Sequence, residues 1–447
     1  MAELAVPAPR RNRLLLTQWS DLLENDAFRR FFFMRMASTG AINGLTYALL
    51  VFTVRQSSSA LAAGGLLMTV LVPSAMLGAV AGSAVDRLPR GLILFLSNVL
   101  RAFLMFALIG AKDSLASLYM VALALGVIAQ FAVPAESAVL PHIVRQDRYT
   151  AANSFLSLGS LLTQVAGLLI LAPVLLKTTD GDPLLFVLLG LFAFSAAIIT
   201  VIPQFHFTFT DEQRQHLTLA GARRQFAEGW MRLARDPVAY MSLVLSVVAS
   251  VSTLVVATLL PKFSAHVLGV APENIVFVLA PVAIGIFVGL RSVEWLADRF
   301  NKMVTISGAY LIMAAALVLL GLVPATARAT VNLDLLGAFS AGPLNDQAAR
   351  IGATIVYANF YGFALTVVLT MGKVLLNERI PVHMQGRIFA AHSVLSNLIA
   401  IPPVLAGSLF ADAVGVEPVL VAAGFVALAT AVWSRAQGTK VVPAQAD

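Results

Sequence analysis

Charged residues are scarce in this chain, so those inside or beside its apolar runs carry the most chemical information. Residues 81–92 read AGSAVDRLPRGL and set Asp86, Arg87 and Arg90 within five positions. A carboxylate in such a place can cap a helix N-terminus or pair with arginine, which makes it a contact that can form and break. Arg35, Thr39, Asn43 and Tyr47 recur every four residues and share one helical face. Asn153, Ser157, Ser160 and Gln164 recur at four, three and four. Polar stripes of this kind face a bundle interior or water, not lipid. Arg101 stands about ten residues into an apolar run, where it needs water, a carbonyl or a carboxylate, and where it could meet an anion. Glu136 and Glu294 are the carboxylates nearest helix interiors, each able to pair with an arginine or to carry a proton.

Other chemistries are absent from the sequence. There is no cysteine, which removes disulfides and thiolate metal sites. The six histidines show no HxxxH or HExxH spacing, so no metal site and no cofactor is expected. Without HExxH, a Ser–His pair or paired mid-membrane carboxylates, catalytic residues are not expected and the chain does not read as an enzyme. No GxxxxGK[ST] segment is present, which argues against an ATP-driven machine.

The elements that must position these residues are membrane helices. The chain is 59% hydrophobic and 12% charged, its mean hydropathy is +0.86, and its apolar residues come in runs long enough to cross a bilayer core. Twelve spans are predicted, at 31–54, 60–83, 92–111, 116–139, 150–175, 183–203, 238–261, 272–296, 303–325, 351–376, 386–409 and 416–434. Pro73, Pro134, Pro173, Pro281, Pro402 and Pro403 fall within them and predict kinks. With the N-terminus inside, and with Lys373 and Arg387 at the cytoplasmic ends of their spans counted with the loop between them, 21 lysines and arginines fall on the cytoplasmic side and 6 outside, while Arg35, Arg101 and Arg291 lie deeper within spans. That bias predicts cytoplasmic termini in the cell membrane and puts the Asp86 loop inside. The net charge of +7 then belongs to cytoplasmic loops rather than to a nucleic-acid surface. Arg35 and Arg291 sit nearer the cytoplasmic face, where an arginine can snorkel.

The chain also repeats itself. RYTAANSFLS at 148–157 matches RIFAAHSVLS at 387–396 in six of ten positions, and Val85-Asp86-Arg87-Leu88 is echoed by Ala297-Asp298-Arg299-Phe300. Two echoes in the same order predict two six-helix bundles related in parallel. The expected organisation is a cytoplasmic segment over 1–30, bundles over 31–203 and 238–434, a linker over 204–237 and a tail over 435–447. The first apolar cluster, at 14–16, is too short for a signal peptide. Leu15, Trp19, Leu22 and Leu23 instead predict a short in-plane helix. In the linker, Phe226, Trp230 and Leu233 share a face near Arg223, Arg224, Arg232 and Arg235, the pattern of a basic helix on an anionic leaflet. The polar stretch around 326–350 has no counterpart in the first bundle.

Gly82 to Arg90 resembles the loop signature G-x-x-x-D-R-x-x-R of the major facilitator superfamily. The stretches PAESAVLPHIVRQDRYTAANSFLSLGSLLTQVAG at 134–167 and NERIPVHMQGRIFAAHSVLSN at 377–397 resemble its drug:proton antiporter-3 branch, which contains macrolide and enterobactin exporters. The resemblance implies an all-α membrane fold of twelve helices and a cytoplasmic gate at Gly82, Asp86, Arg87, Arg90, Asp298, Arg299 and Arg387. In that fold, spans one, four, seven and ten line a central cavity, with two, five, eight and eleven beside them. This places Arg35, Thr39, Asn43, Tyr47, Arg101, Asn153, Gln164, Tyr357 and Tyr361 as cavity candidates, and Glu136 and Glu294 as candidates for proton coupling. Two departures stand out. AGLLILAPVLLK in span five keeps Gly167 and Pro173 without the glycine pair of many antiporters, and span one has no acidic residue. Proton antiport therefore rests on the resemblance rather than on these residues.

The implied activity is secondary export of an amphipathic small molecule by alternating access, coupled to protons. A monomer suffices for it. A lysophospholipid flippase of the same superfamily and a non-transporting sensor on a transporter fold are the alternatives. Basic residues with few opposing acids lean toward anionic or zwitterionic cargo.

Overall fold

A computed structural model of the chain describes residues 22–57, 59–85, 88–145, 148–176, 181–202, 236–271, 274, 278, 280–332, 346–379 and 382–441. Among them the secondary-structure elements are all helices. They are α1 (Asp26–Gln56), α2 (Ala60–Val85), α3 (Arg90–Ile109), α4 (Leu115–Ile143), α5 (Tyr149–Val165), α6 (Ala172–Leu176) and α7 (Asp182–Thr200). After the linker come α8 (Pro237–Phe263), α9 (Val282–Arg299), α10 (Lys302–Gly321), α11 (Val323–Asn332), α12 (Asp346–Arg379), α13 (Val382–Val414) and α14 (Val416–Val441). Among the described residues, ten helices are long and apolar enough to span a membrane. The chain is an all-α multi-pass membrane protein.

The two other expected spans differ for local reasons. The fifth runs from α5 into α6 through a π-helical stretch at Ala166–Leu171, so its hydrogen-bond ladder changes partners midway. The eighth is α9, whose apolar part covers Val282–Val293. Residues 323–332, which overlap the polar stretch around 326–350, form α11. The in-plane face around Leu15 and Trp19 and the basic linker face around Trp230 lie outside the described residues. Of the N-terminal set, Leu22 is buried in a core with Phe28, Phe31, Ile143 and Ile202.

Helix starts follow from short polar side chains. Asn25 accepts hydrogen bonds from the backbone N–H groups of Ala27 and Phe28 at 3.0 and 3.2 Å and opens α1. Asp236 does the same for α8 through Val238 and Ala239, with Pro237 in the first turn. Asn301 opens α10 through Met303. Each satisfies N–H groups that a helix cannot bond internally. Between α13 and α14 the chain turns on Gly415 alone, at φ +97°, a conformation that a side chain would strain.

By packing, the chain divides into two compact units that cut across the two sequence repeats. One comprises Met1–Ala48, Ala81–Ala111 and Ile128–His216; the other comprises Leu49–Val80, Lys112–Val127 and Leu217–Asp447. In the first unit α3 packs on α7, and α1 meets the fifth span closely. A Cβ on Gly167 would stand 2.7 Å from the carbonyl oxygen of Gly40, and one on Gly40 would stand 2.8 Å from Thr163 Cγ2. Small residues let helix backbones approach where no hydrophobic force drives them together. In the second unit α10 packs on α12 and α14, while α8 packs on α12 and α13.

The α1 contact leaves no room for a Cβ at Gly40 or Gly167. Gly167→Val should force α1 and the fifth span apart and lower stability by about 1–3 kcal/mol, the range for overpacking. A thermal melt of the purified protein in detergent checks this, with Gly190→Val, where a Cβ meets nothing within 4 Å, as the neutral control.

Candidate functional site

The first unit gathers charge where apolar packing would be expected. Arg101 on α3 is 2% exposed, the bulkiest of the fully buried side chains among the described residues. Its Nη1 donates to Ser38 Oγ on α1 at 3.1 Å. Ser38 Oγ in turn donates to Asn98 Oδ1 at 3.0 Å, and Asn98 Nδ2 donates to the carbonyl of Leu94 at 2.9 Å. The Phe192 ring on α7 lies 5.9 Å from the guanidinium carbon, within the range of a cation–π contact. Glu136 on α4 attracts this guanidinium electrostatically. It also attracts Arg35, whose Nε lies 3.7 Å from Glu136 Oε2.

Two guanidiniums therefore share one carboxylate. Removing charge from water is tolerated only where partners replace the lost hydration, and the partners here are unequally divided. Arg101 is enclosed by protein and held by Ser38 and Phe192. Arg35 keeps 27% of its side-chain surface and Glu136 keeps 16%, while the Nε atoms of both arginines are buried without a hydrogen-bond partner. The cluster carries a net positive charge, and its accessible edge is Arg35 beside Glu136.

The sequence candidates meet different fates. Arg35, Arg101 and Glu136, from three separate spans, come together. Arg101 is covered by protein in this structure, which makes it an anchor for α1 and α3 rather than an open anion contact. Asn43 Nδ2 donates to the carbonyl of Thr39 at 2.8 Å, one turn back on α1. Tyr47 is buried, Thr39 is half-buried and Gln164 is exposed. Asn153 lies on α5, and the description covers its backbone only. In the second unit the Tyr361 hydroxyl lies 3.5 Å from both Ser252 Oγ and Thr253 Oγ1 on α8, and Tyr357 is half-buried.

Of the gate candidates, Gly82 lies in α2 and Arg90 opens α3, while Asp86 and Arg87 lie outside the described residues. Asp298 and Arg299 are exposed at the end of α9. Arg387 in α13 and Glu294 in α9 are helical, with only their backbones described. Arg291 is exposed, as an arginine that snorkels would be.

Sequence reasoning missed Ser38, Asn98 and Phe192. A signal existed for two of them: Asn98 and Arg101 are three apart, and so are Arg35 and Ser38, the spacing of helix neighbours. Phe192 is one phenylalanine among 27, with nothing local to mark it.

Comparison with known proteins agrees with this architecture. A family model described as Major Facilitator Superfamily matches residues 31–401. The chain resembles the crystal structure of a mutant form of the nucleoside transporter NupG at a TM-score of 0.69 and 9% identity, covering 91% of this chain and 98% of that one. It resembles a mutant form of a peptide transporter POT, in complex with sulfate, at 0.67 and 13% identity, over 92% and 94% of the two chains. A bacterial homologue of the iron transporter ferroportin, in an inward-facing state, gives 0.66 and 16% identity over 91% and 98%. At these identities the likeness speaks for the fold. No curated protein matches the sequence.

The unequal partners of the two arginines predict unequal mutants. Arg101→Ala strips the buried cluster of its anchor and should destabilise the protein by about 3–5 kcal/mol, as breaking a buried charged network does. Arg35→Gln, at the accessible edge, should cost less than about 1 kcal/mol. Thermal melts of both variants beside the parent test the difference; equal losses would contradict it.

Proposed function

We propose that this chain, which belongs to the Major Facilitator Superfamily and is a secondary transporter, exports a zwitterionic amphipathic small molecule in exchange for protons. The observation that carries the reading is the accessible edge of the charge cluster, where Arg35 and Glu136 stand side by side. The anionic group of a cargo headgroup would take the accessible part of Arg35, which keeps 27% of its side-chain surface. Its cationic group would take Glu136. A proton reaching Glu136 competes with the cationic group and loosens the cargo, which is the competition that antiport requires. A purely anionic cargo would behave in the opposite way: it would draw Arg35 from Glu136 and favour protonation, so proton and cargo would bind together.

The superfamily loop around Asp86 supplies the other half of the reading. A carboxylate that caps a helix of the opposite repeat closes the cytoplasmic side, and its release opens it. Alternating access then needs only the two repeats to move about the cargo. The positive-inside distribution supports a cell membrane location with both termini in the cytoplasm. One chain is sufficient for this cycle.

A charge series tests the cargo reading. Alkyl chains of equal length bearing phosphocholine, sulfate or trimethylammonium heads should bind in proteoliposomes with phosphocholine tightest. That binding should weaken as pH falls and Glu136 takes up protons. Tightest binding by the trimethylammonium probe would overturn the assignment, and so would binding that strengthens on acidification. Arg35→Gln should weaken phosphocholine binding by about thirtyfold or more, equivalent to roughly 2 kcal/mol. Asp86→Asn should leave expression intact and sharply slow transport; unchanged transport would remove the gate from the mechanism.

A further inference from the structure

The Asp86 loop follows the C-terminal end of α2. At the opposite end of α2 stands a carboxylate that sequence reasoning did not single out. Asp412, in the last turn of α13, accepts hydrogen bonds from the backbone N–H of Ala60 at 2.8 Å and from that of Leu61 at 3.1 Å. The hydroxyl of Ser59 also donates to it. Lys262, at the end of α8, donates to Asp412 Oδ1 at 2.7 Å and to the carbonyl of Ala411 at 2.7 Å.

Asp412 thus caps α2 as an N-cap side chain would, but from a helix some 350 residues away in sequence. The helix dipole and a charge-assisted bond from Lys262 act on the same carboxylate. Below the cap, α2 follows α13. Gly64 packs against Ser408, and Asn397 Nδ2 donates to Ser74 Oγ at 2.6 Å. Tyr119 on α4 donates to the carbonyl of Ala62 at 2.9 Å, closing the other side of α2. The pocket beneath the cap is small and is lined by Val54, Ala63, Thr258 and Lys262 among others. Ala63 and Thr258 are each 1% exposed.

We propose that Asp412 is the latch of the face opposite the Asp86 loop. By capping α2 and pairing with Lys262, it joins a first-repeat helix to two second-repeat helices and shuts that end of the pathway. It must release before cargo can pass there. By the positive-inside count this face is extracytoplasmic. One helix is then addressed at both ends: α2 receives a carboxylate at its N-terminus and leads into the Asp86 signature at its C-terminus. This inference rests on the transporter reading above, and its test is chosen to fail separately.

The chain has no cysteine, so Ala63→Cys adds a single reporter beneath the latch. A bulky, membrane-impermeant maleimide, added to right-side-out vesicles, should label it slowly. Adding Asp412→Ala should speed labelling roughly tenfold, as the closed population falls with the lost cap and ion pair. Adding Lys262→Gln, which spares the cap, should give an intermediate rate. Size-exclusion profiles establish that each variant is folded. Unchanged labelling in folded Asp412→Ala overturns the latch; if that variant does not fold, unchanged labelling in Lys262→Gln overturns it. Fast labelling in a protein that binds no zwitterionic amphipath supports the latch and rejects the cargo assignment. Cargo binding with unchanged labelling does the reverse.

Discussion

A guanidinium removed from water must be given a substitute for its hydration, and much of the first unit can be understood as meeting that demand for Arg101. Ser38 on α1, Asn98 on its own helix, Phe192 on α7 and Glu136 on α4 each supply part of it. The four helices are therefore held at one register by a polar requirement that apolar packing could not impose. Leucine and phenylalanine contacts tolerate sliding, because dispersion has little directional preference. A hydrogen-bonded charge does not, and an unmatched partner at that depth would be costly.

Arg35 follows from the same demand in a different way. Glu136 serves two arginines, and Arg101 is the better supplied of them. The ion pair with Glu136 is made by Arg35, the arginine that remains partly accessible. A structural requirement thereby leaves a charged pair partly open to its surroundings. The close crossing of α1 with the fifth span, at Gly40 and Gly167, holds that edge in place. The fifth span makes this crossing from its π-helical stretch, which contains Gly167.

At the far end of α2 the same physics meets a charge that is less deeply buried. Asp412 remains partly exposed, with 28% of its side-chain surface accessible, against 14% for Lys262. Water can replace its partners at little cost when they separate. Arg101, at 2% exposed, has no such option. Burial distinguishes a charge that anchors from a charge that can switch.

Much of the fold was legible in the sequence. Apolar runs of bilayer length, the lysine and arginine bias and the two echoes at 148–157 and 387–396 require only local reading. They identified membrane helices and marked Arg35, Arg101 and Glu136 as unusual, because a charge inside an apolar run needs no partner to be conspicuous. The partners were invisible. Glu136 could have met any of several arginines. Ser38 and Phe192 are ordinary residues until Arg101 lies beside them, and Asp412 resembles any acid at a helix end until α2 arrives beneath it. Such assignments depend on how helices far apart in sequence rotate and slide against one another. Local pattern constrains which residues a helix presents, while the register between helices is decided by many weak contacts acting together, and only the tertiary structure expresses that sum.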